Sequence, residues 1–504
     1  MQTNDEPSRA RVKLVASTRD GASPSHPSKA KNVNNEEART VTNSHDDVPS
    51  YFESAQWTAD GTTLLTYSST NLVSGYIVPE NLLSADDDEG LALEPQAHIQ
   101  LPEPSNVLAG APYFSLAEPW TQQLLVSARD HPLQLFYLAP FSSSLPSSSS
   151  SSSSPGSVSV SGAVADSHPP IASYPFTKVR SETFLSASAL SWPSPGTHFV
   201  AGSRSLLARF DVQRPGAEPV ARIRTIPSER HLSKGGGVGM RGTVSALGQQ
   251  PLDHGGGGGS LLAAGTWTRW VGLYDFAQAE PGACVATWGI AAAVRDETRP
   301  TPNEEKAAAG AGGAAHRDGG IGGDGITQTV WSPCGRYLVV CERKSSGALI
   351  YDVRVTGRLL GYLTGRDALG NQRVACDVFP GTDESGGFEI WSGTSNSAVR
   401  VWEGVGSVEG PHAPAWDWAA HQSTVGSACL HPSGTVVATC AGSWEFPDDD
   451  GGRARRESAS TINGSDSGTD SSEDERPWMK RRVKESSLKI WSITGPPSDM
   501  ERSS

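Results

Sequence analysis

Two short runs of apolar residues flank a polar segment between Gly387 and Trp402, which read GFEIWSGTSNSAVRVW. The first run of this stretch, Phe388–Trp391, is mostly apolar, as is typical of a strand buried on both faces. The second run, Ala398–Trp402, alternates apolar and polar residues and predicts a strand with one face in water. The polar residues between them predict a turn. Since so small a unit cannot bury its own faces, we expect it to recur along the chain.

The unit does recur, as an apolar strand, a tight turn, a strand ending in small residues, a polar turn and a strand ending in an aromatic residue and an acid. Asp275 and Asp352 fill the last position, which predicts a structural role for both at strand ends. The seven copies lie at 55–78, 122–138, 188–212, 243–276, 326–353, 374–403 and 425–443, the last resuming at 487–493. This pattern is the WD-repeat signature, with four strands to each blade. The sequence therefore predicts an all-β fold, a seven-bladed WD-repeat β-propeller.

Low-complexity tracts separate or split the copies. They are rich in serine at 142–161, in glycine and alanine at 294–325, and in acids and serine at 444–486. Such tracts bury too little apolar surface to fold, so we expect them to be disordered loops outside the propeller.

The propeller is expected to span residues 51–494, between a mostly disordered tail at 1–50 and a disordered tail at 495–504. The last blade lacks an outer strand from its own end of the chain. We expect either Arg11–Ser17, which alternates like an edge strand, or the residues just before Tyr51 to supply it and close the ring.

The charge is lopsided, with 41 Lys and Arg against 55 Asp and Glu, a net charge of −14. This balance argues against indiscriminate phosphate binding but permits a local basic patch. The 6 cysteines form no CxxC pair, so we expect buried, reduced thiols and neither zinc nor disulfides. No apolar signal core and no run of about 18 apolar residues is present, so we expect no membrane segment.

Enzyme signatures are absent from the sequence: it contains no GxSxG, no HExxH and no phosphate-binding loop in a strand–helix context. We therefore expect no catalytic residue, no cofactor, no metal and no small-molecule substrate. His421 precedes the strand run Val425–Leu430, where WD repeats often place a histidine that hydrogen-bonds a turn acid. Gly393 ends a strand run, where we expect a positive φ and no room for a Cβ beside the next blade.

Several polar residues in predicted turns are candidates for binding RNA. Arginine offers planar, bidentate donors to phosphates and base edges, and asparagine or glutamine can read bases. The candidates lie in turns of the second and third copies and in the connection from the fifth copy to the sixth: Arg129, Arg204, Arg366, Asn371, Gln372 and Arg373.

The acidic tract carries a different kind of signal. Ser467, Ser471 and Ser472 each have an acid three positions on, a pattern that acidophilic kinases accept, so they are candidate phosphorylation sites. The basic run Lys480–Lys484 fits either a nuclear-import patch or a solvated flank of the final strand.

The fifth and sixth copies resemble one family more closely than a generic WD repeat. The residues GR-x4-NQR-x3-D, from Gly365 to Asp377, followed by SGTSNSAVRVWE, are similar to the telomerase Cajal body protein family. The stretch FESAQWTADGTTLLTYSSTNLVSGY in the first blade and SARDHPLQLF in the second support the resemblance, which covers about residues 51–494. It implies a seven-bladed propeller that binds a short single-stranded box in small Cajal-body RNAs and in telomerase RNA. Relatives are also tied to spliceosomal small nuclear ribonucleoproteins.

The expected function is that of a non-enzymatic RNA-binding adaptor of nuclear small ribonucleoproteins. The resemblance implies small Cajal-body RNA or telomerase RNA and ribonucleoprotein proteins as partners. It also implies a place in the nucleus, in Cajal bodies or nucleoplasm, with a cytoplasmic pool left open. The alternatives are a protein-only scaffold that grips peptides and a factor associated with spliceosomal ribonucleoproteins. The polar connection around Arg366 favours RNA, whereas the net charge favours the protein-only scaffold.

Overall fold

The computed structural model describes residues 11–18, 49–84, 90–138, 169–226, 239–251, 260–276, 282–298, 321–381, 387–445 and 482–494. Regular structure in these ranges is almost all β, arranged as seven sheets that are the blades of a propeller. The predicted seven-bladed WD-repeat propeller is confirmed, and each repeat copy lies in a different blade. Residues 142–161 and the candidate phosphorylation sites Ser467, Ser471 and Ser472 lie outside the described residues.

The first strand, β1 (Arg11–Ser17), belongs to the last blade, and the blades then follow in chain order. Blade 1 consists of β2 (Phe52–Trp57), β3 (Thr63–Ser68), β4 (Leu72–Ile77) and, after the short β5 (Leu91–Ala92), β6 (Ala97–Gln100). Blade 2 consists of β7 (Ser105–Gly110), β8 (Gln123–Ala128), β9 (Leu133–Tyr137) and β10 (Ala172–Tyr174). Blade 3 consists of β11 (Ala189–Ser191), β12 (His198–Ser203), β13 (Leu206–Asp211) and β14 (Ala221–Arg224). Blade 4 consists of β15 (Val244–Gln249), β16 (Leu261–Thr266), β17 (Trp270–Asp275) and β18 (Ala283–Gly289).

The remaining blades follow the same antiparallel order, with added short strands at two outer edges. Blade 5 consists of β19 (Ile326–Trp331), β20 (Tyr337–Glu342), β21 (Ala348–Asp352) and β22 (Leu359–Leu363). Blade 6 consists of β23 (Cys376–Pro380), β24 (Phe388–Gly393), β25 (Ala398–Val405) and, after β26 (Gly410–His412), β27 (Trp416–Ala419). Blade 7 consists of β28 (Val425–Leu430), β29 (Val436–Glu445), β30 (Arg482–Thr494) and β1. Two short helices complete the described structure, a 3-10 helix (Pro119–Thr121) and α1 (Ala291–Asp296).

The ring is closed by the N-terminal strand, the first of the two alternatives. Strand β1 pairs antiparallel with β30, so that Val12 lies opposite Ile493 and Leu14 opposite Trp491. Ala16 is fully buried in a core that blade 7 shares with blade 1. The edge of β1 is in turn covered by β5 in parallel, as β26 covers the edge of β22. Two outer edges are thus protected by segments of the same chain.

The predicted bounds of two inserts are wrong, because residues at their ends belong to the propeller. Val294 and Ile321 are buried with Trp288 in the core between blades 4 and 5, because both are apolar residues flanking the glycine-rich tract. Trp444 pairs with Val483 across β29 and β30, since the hairpin continues past the small residues that end the repeat. The ends of tracts 294–325 and 444–486 therefore belong to the propeller rather than to outside loops.

Side-chain hydrogen bonds tie the inner strands of neighbouring blades. The Ala55 amide donates to Ser427 Oγ at 3.2 Å, joining blade 1 to blade 7. The Leu430 amide donates to Asp377 Oδ2 at 2.8 Å, joining blade 7 to blade 6. Gln328 on blade 5 donates to the Cys376 carbonyl at 2.8 Å and accepts from the Cys376 amide at 2.9 Å. Each bond satisfies a backbone group that the sheets leave unpaired.

His421 lies in a buried chain of hydrogen bonds in blade 7. Trp491 Nε1 donates to Thr439 Oγ1 at 2.9 Å, and that hydroxyl is 2.8 Å from His421 Nε2. On its other side, His421 Nδ1 is 3.0 Å from Glu485 Oε1 and 2.9 Å from Ser487 Oγ. A neutral ring with its proton on Nδ1 satisfies every contact. Burial lowers the pKa of His421, which favours that neutral form.

The other residues assigned structural positions lie at strand ends, and the cysteines are free. Asp275 and Asp352 end β17 and β21, and the Asp352 carboxylate accepts from Arg354, which lowers its pKa. All 6 cysteines are unbridged, but Cys284 and Cys334 are exposed, so the expectation of buried thiols is wrong for those two. Both lie where a blade meets solvent rather than in a buried strand.

Gly393 ends β24 against the next blade. A Cβ built on it would lie 2.3 Å from the Val425 carbonyl oxygen, closer than real Cβ contacts allow. The expected positive φ is wrong, because the turn places Ser397, at φ 70°, in the left-handed region instead. Close packing of the blades, not backbone conformation, requires glycine here.

Gly393→Ala is expected to destabilise the fold by about 1–3 kcal/mol through overpacking, and Gly393→Arg by more. Gly370→Ala is the matched control, because its nearest non-neighbouring heavy atom would be 3.8 Å from the new Cβ. Denaturant unfolding of the three variants measures the difference. Equal stability of Gly393→Ala and Gly370→Ala would contradict the packing argument.

Acid is expected to weaken the fold through His421. The pKa of His421 is lowered in the folded protein, so the unfolded chain binds more protons below about pH 6.5. The free energy of unfolding therefore decreases as the pH decreases. Melting curves between about pH 7.5 and about pH 5.5 measure this dependence, and His421→Gln should flatten it. An unchanged slope in the variant would show that other groups cause it. Glu485, whose pKa is also lowered, titrates below this window.

Candidate functional site

The sequence-predicted RNA candidates all belong to one end of the propeller. Because the strands of each blade alternate in direction, the turn between the second and third strands shares an end with the connection to the next blade. We call this end the connection face. Arg129 lies in the β8–β9 turn, Arg204 in the β12–β13 turn, and residues 366–373 in the connection from β22 to β23.

The turns on this face share a backbone conformation. In blades 1 to 6 the turn between the second and third strands contains a residue other than glycine with positive φ. These residues are Asn71, Asp130, Ser205, Arg269, Lys344 and Ser397. The turns therefore present side chains at similar positions around the ring.

A cavity of about 490 Å³ opens at the centre of this face. It is lined by the inner strands of blades 1, 2, 3, 5 and 7 and by residues 371–375, which lead into blade 6. Asn371 and Arg373 line it and are exposed to solvent. The structure thus brings three of the predicted residues, Asn371, Gln372 and Arg373, to the mouth of the channel.

Arg373 reaches from blade 6 towards the opposite side of the channel. Its Nη2 donates to the Ser188 carbonyl, just before β11 of blade 3, at 3.4 Å. Although Arg373 is solvent-exposed, surrounding protein desolvates it and lowers its pKa, and the nearby Glu53 carboxylate opposes that shift. Burial likewise raises the pKa of Glu53, and Arg373 opposes that shift. The channel mouth therefore holds a cation and an anion that influence each other.

Gln372 and Arg366 hold the connection in place. Gln372 Nε2 donates to the Gly442 carbonyl at 2.9 Å, which ties the connection to blade 7. Arg366 is 1% exposed, and its guanidinium donates to the carbonyls of Glu342 and Val374 and to the Ser392 hydroxyl. The expectation that Arg366 is an exposed loop arginine is wrong, because its donors are occupied by blades 5 and 6.

Arg129 and Arg204 are exposed away from the central cavity. Arg129 Nε lies 3.8 Å from Asp130 Oδ2, and both side chains are more than 70% exposed. An ion pair so exposed contributes little and leaves the guanidinium available to solvent or ligand. Arg204 is exposed in its turn, whose backbone bridges to Thr243 of blade 4.

Three further residues on this face were not predicted from the sequence. Trp267, in the β16–β17 turn, is 43% exposed, and the Arg343 guanidinium lies 5.9 Å from its ring centroid. Lys344 follows Arg343 in the β20–β21 turn of the next blade. An exposed indole beside basic side chains is a platform on which a nucleic-acid base can stack. The sequence feature that could have identified them is their position in the turn between the second and third strands of a blade.

Neither a metal-ion cluster nor a membrane-spanning helix occurs within the described ranges. Among those residues, no group of three or more His, Cys, Asp or Glu is placed to hold a metal ion. No helix in the same ranges is long and apolar enough to cross a membrane.

Comparison with known proteins finds distant similarity to telomerase Cajal body protein 1. The protein of Bos taurus is 23% identical over 402 residues, which cover 79% of this chain and 59% of that protein. The human protein is 22% identical over 402 residues, covering 79% of this chain and 58% of its own length. This chain thus spans about three fifths of the length of these relatives.

A relative with a different name matches to a similar degree. Guanine nucleotide-binding protein negative regulator 1 of Schizosaccharomyces pombe is 22% identical over 364 residues, 72% of this chain and 73% of that protein. No family model matches the chain.

Arg366→Ala is expected to destabilise the propeller by about 2–4 kcal/mol, because it leaves buried carbonyl groups without donors. Arg204→Ala, which removes an exposed arginine from the same face, should stay within about 0.5 kcal/mol of wild type. Thermal and denaturant unfolding compare the two. An Arg366→Ala protein as stable as the control would mean that the buried guanidinium is dispensable.

Proposed function

We propose that this protein is a non-enzymatic adaptor that binds single-stranded RNA on the connection face. RNA of this kind is held by arginines on its phosphates and by polar or aromatic groups on its bases. Exposed Arg129 and Arg204, the Trp267–Arg343 pair and the channel mouth with Asn371 supply both kinds of group on one face. This convergence on one face is the observation that carries the proposal.

The partners we propose follow from the resemblance and from the names of the relatives. Similarity to telomerase Cajal body protein 1 supports membership of that family. It also supports small non-coding RNA, either small Cajal-body RNA or telomerase RNA, together with ribonucleoprotein proteins, as partners. The place of action is then the nucleus.

A protein-only scaffold is the second candidate. The net charge of −14 disfavours nucleic acid, and the relative from Schizosaccharomyces pombe is named for regulating a guanine nucleotide-binding protein. Against this, the segment from Glu445 to Arg476 alone holds ten acids against four arginines. Much of the negative charge thus belongs to a predicted insert rather than to the blades, and the connection face keeps its exposed arginines.

The double variant Arg129→Ala/Arg204→Ala is expected to bind RNA more weakly, by about 1–3 kcal/mol for each charge-assisted contact that is lost. The salt dependence of binding should become shallower, by about 0.7 in the log–log slope for each phosphate contact. The measurement is a filter-binding titration of size-fractionated cellular small RNA at several salt concentrations.

Arg336→Ala/Arg358→Ala is the matched control for charge. Both arginines lie in turns at the opposite end of blade 5, between β19 and β20 and between β21 and β22. The control also removes two positive charges. It should leave the affinity for RNA within about twofold of wild type, because those side chains do not reach RNA on the connection face. Equal weakening of both double variants would show that only net charge matters. No RNA binding by the wild-type protein would leave the protein-only scaffold as the better proposal.

A further inference from the structure

The cavity at the channel mouth has one apolar side and one polar side. Val107, Leu108 and Leu190 line it from blades 2 and 3. Glu53 and Gln56 on blade 1, with Asn371 and Arg373 at the entry to blade 6, provide polar groups. A flat, aromatic heterocycle with a polar edge fits such a slot, since its faces can lie against aliphatic side chains while its edge is hydrogen-bonded.

Glu53 is the acidic residue that lines this cavity. Among the described residues, its carboxylate accepts no hydrogen bond, and Arg373 is the cation that influences it. It is half-buried, and burial raises its pKa. A desolvated carboxylate without donors gains strongly from a ligand that brings N–H groups.

The adjacent tyrosine is not available for this purpose. The Tyr67 hydroxyl lies 3.0 Å from Asn71 Oδ1, to which it donates, and accepts from the Ser105 amide at 2.9 Å. Tyr67 therefore forms part of the cavity wall and does not recognise a ligand by hydrogen bonding. Glu53 and Arg373 are the charged residues that line the cavity.

We infer that the channel mouth takes up one splayed guanine base of the bound RNA and reads it with Glu53 and Arg373. Guanine carries two adjacent donors, N1–H and N2–H, which match the two oxygens of a carboxylate. It also carries two adjacent acceptors, O6 and N7, which match the paired donors of a guanidinium. No other RNA base combines both pairs. Asn371 and Gln56, whose amides can donate or accept, then reach the sugar or the rim of the base.

Each of the other three bases lacks at least one of these hydrogen bonds. Adenine and cytosine present a ring nitrogen acceptor beside their amino group, so a carboxylate facing that edge meets a lone pair. Uracil offers one N–H flanked by two carbonyl groups and therefore satisfies only part of the set. The expected order of preference is guanine, then uracil, with adenine and cytosine last.

The inference rests on the proposed RNA binding, and the test separates the two. Fluorescence anisotropy measures the affinity of the full-length protein for oligouridine strands that contain one central guanine, adenine, cytosine or inosine. We expect the guanine strand to bind about tenfold or more tighter than the adenine strand. Inosine, which lacks the N2 amino group but keeps N1–H and O6, should fall between them.

Variants of the protein test which residues cause the preference for guanine. Glu53→Gln should abolish the difference between the guanine and adenine strands while keeping affinity for plain oligouridine, since its amide nitrogen would face N1–H. Glu80→Gln, which removes an exposed acid beyond β4 of blade 1, should keep the full preference. Arg373→Ala should reduce guanine binding more than uridine binding. Melting curves accompany each variant, and the inosine comparison on wild-type protein needs no substitution.

Each outcome decides the inference. Binding of all four strands with equal affinity would overturn it and leave the proposed RNA binding standing. A guanine preference that survives Glu53→Gln, or that inosine retains in full, would overturn the assignment of Glu53. Absence of binding to every strand would remove the proposed function and the inference together.

Discussion

The propeller depends on hydrogen bonds that cross from the inner strand of one blade to the next. Inner strands place part of their backbone where no sheet partner exists, and each such buried group is costly if unpaired. Ser427, Asp377 and Gln328 supply the missing partners, each from a neighbouring blade. The blades must therefore approach closely, which is why the Cα of Gly393 lies against the Val425 backbone. The N-terminal strand β1 closes the ring in a different way, as the outer strand of blade 7 paired with β30.

The same constraint divides the residues of the connection between blades 5 and 6. Arg366 and Gln372 bond backbone carbonyls of blades 5, 6 and 7, so their side chains are committed to the ring. Gln372 also lines the channel together with its neighbours Asn371 and Arg373, and Arg373 donates to the Ser188 carbonyl just before blade 3. One short segment thus both anchors the blades and lines the channel mouth.

Much of the fold could be predicted from the sequence, because each repeat copy contains the two or three best-patterned strands of a blade. The outer strands could not, since they are short and weakly patterned, as in Ala172–Tyr174. Strand β7 (Ser105–Gly110) was also missed, because a long segment separates it from β8 and its large apolar residues are only Val107 and Leu108.

The candidate site was harder to predict. Because residue type does not reveal burial, Arg366 and Arg373 were equal candidates for RNA binding in the sequence. In the structure, Arg366 is 1% exposed, whereas Arg373 lines the channel. Glu53 and Trp267 gave no signal of their own. Their significance follows from the ring, which brings Glu53 beside Arg373 across more than three hundred residues of chain.

The central claim is that RNA lies on the connection face over the channel mouth. Ultraviolet crosslinking of the protein to single-stranded RNA, followed by mass spectrometry of the crosslinked peptides, tests it most directly. The account predicts crosslinks in the peptides that contain Trp267 and residues 371–375, because exposed aromatic and channel-lining side chains would contact bases there. Crosslinks confined to the opposite end, such as the turns that contain Arg336 and Arg354, would contradict it.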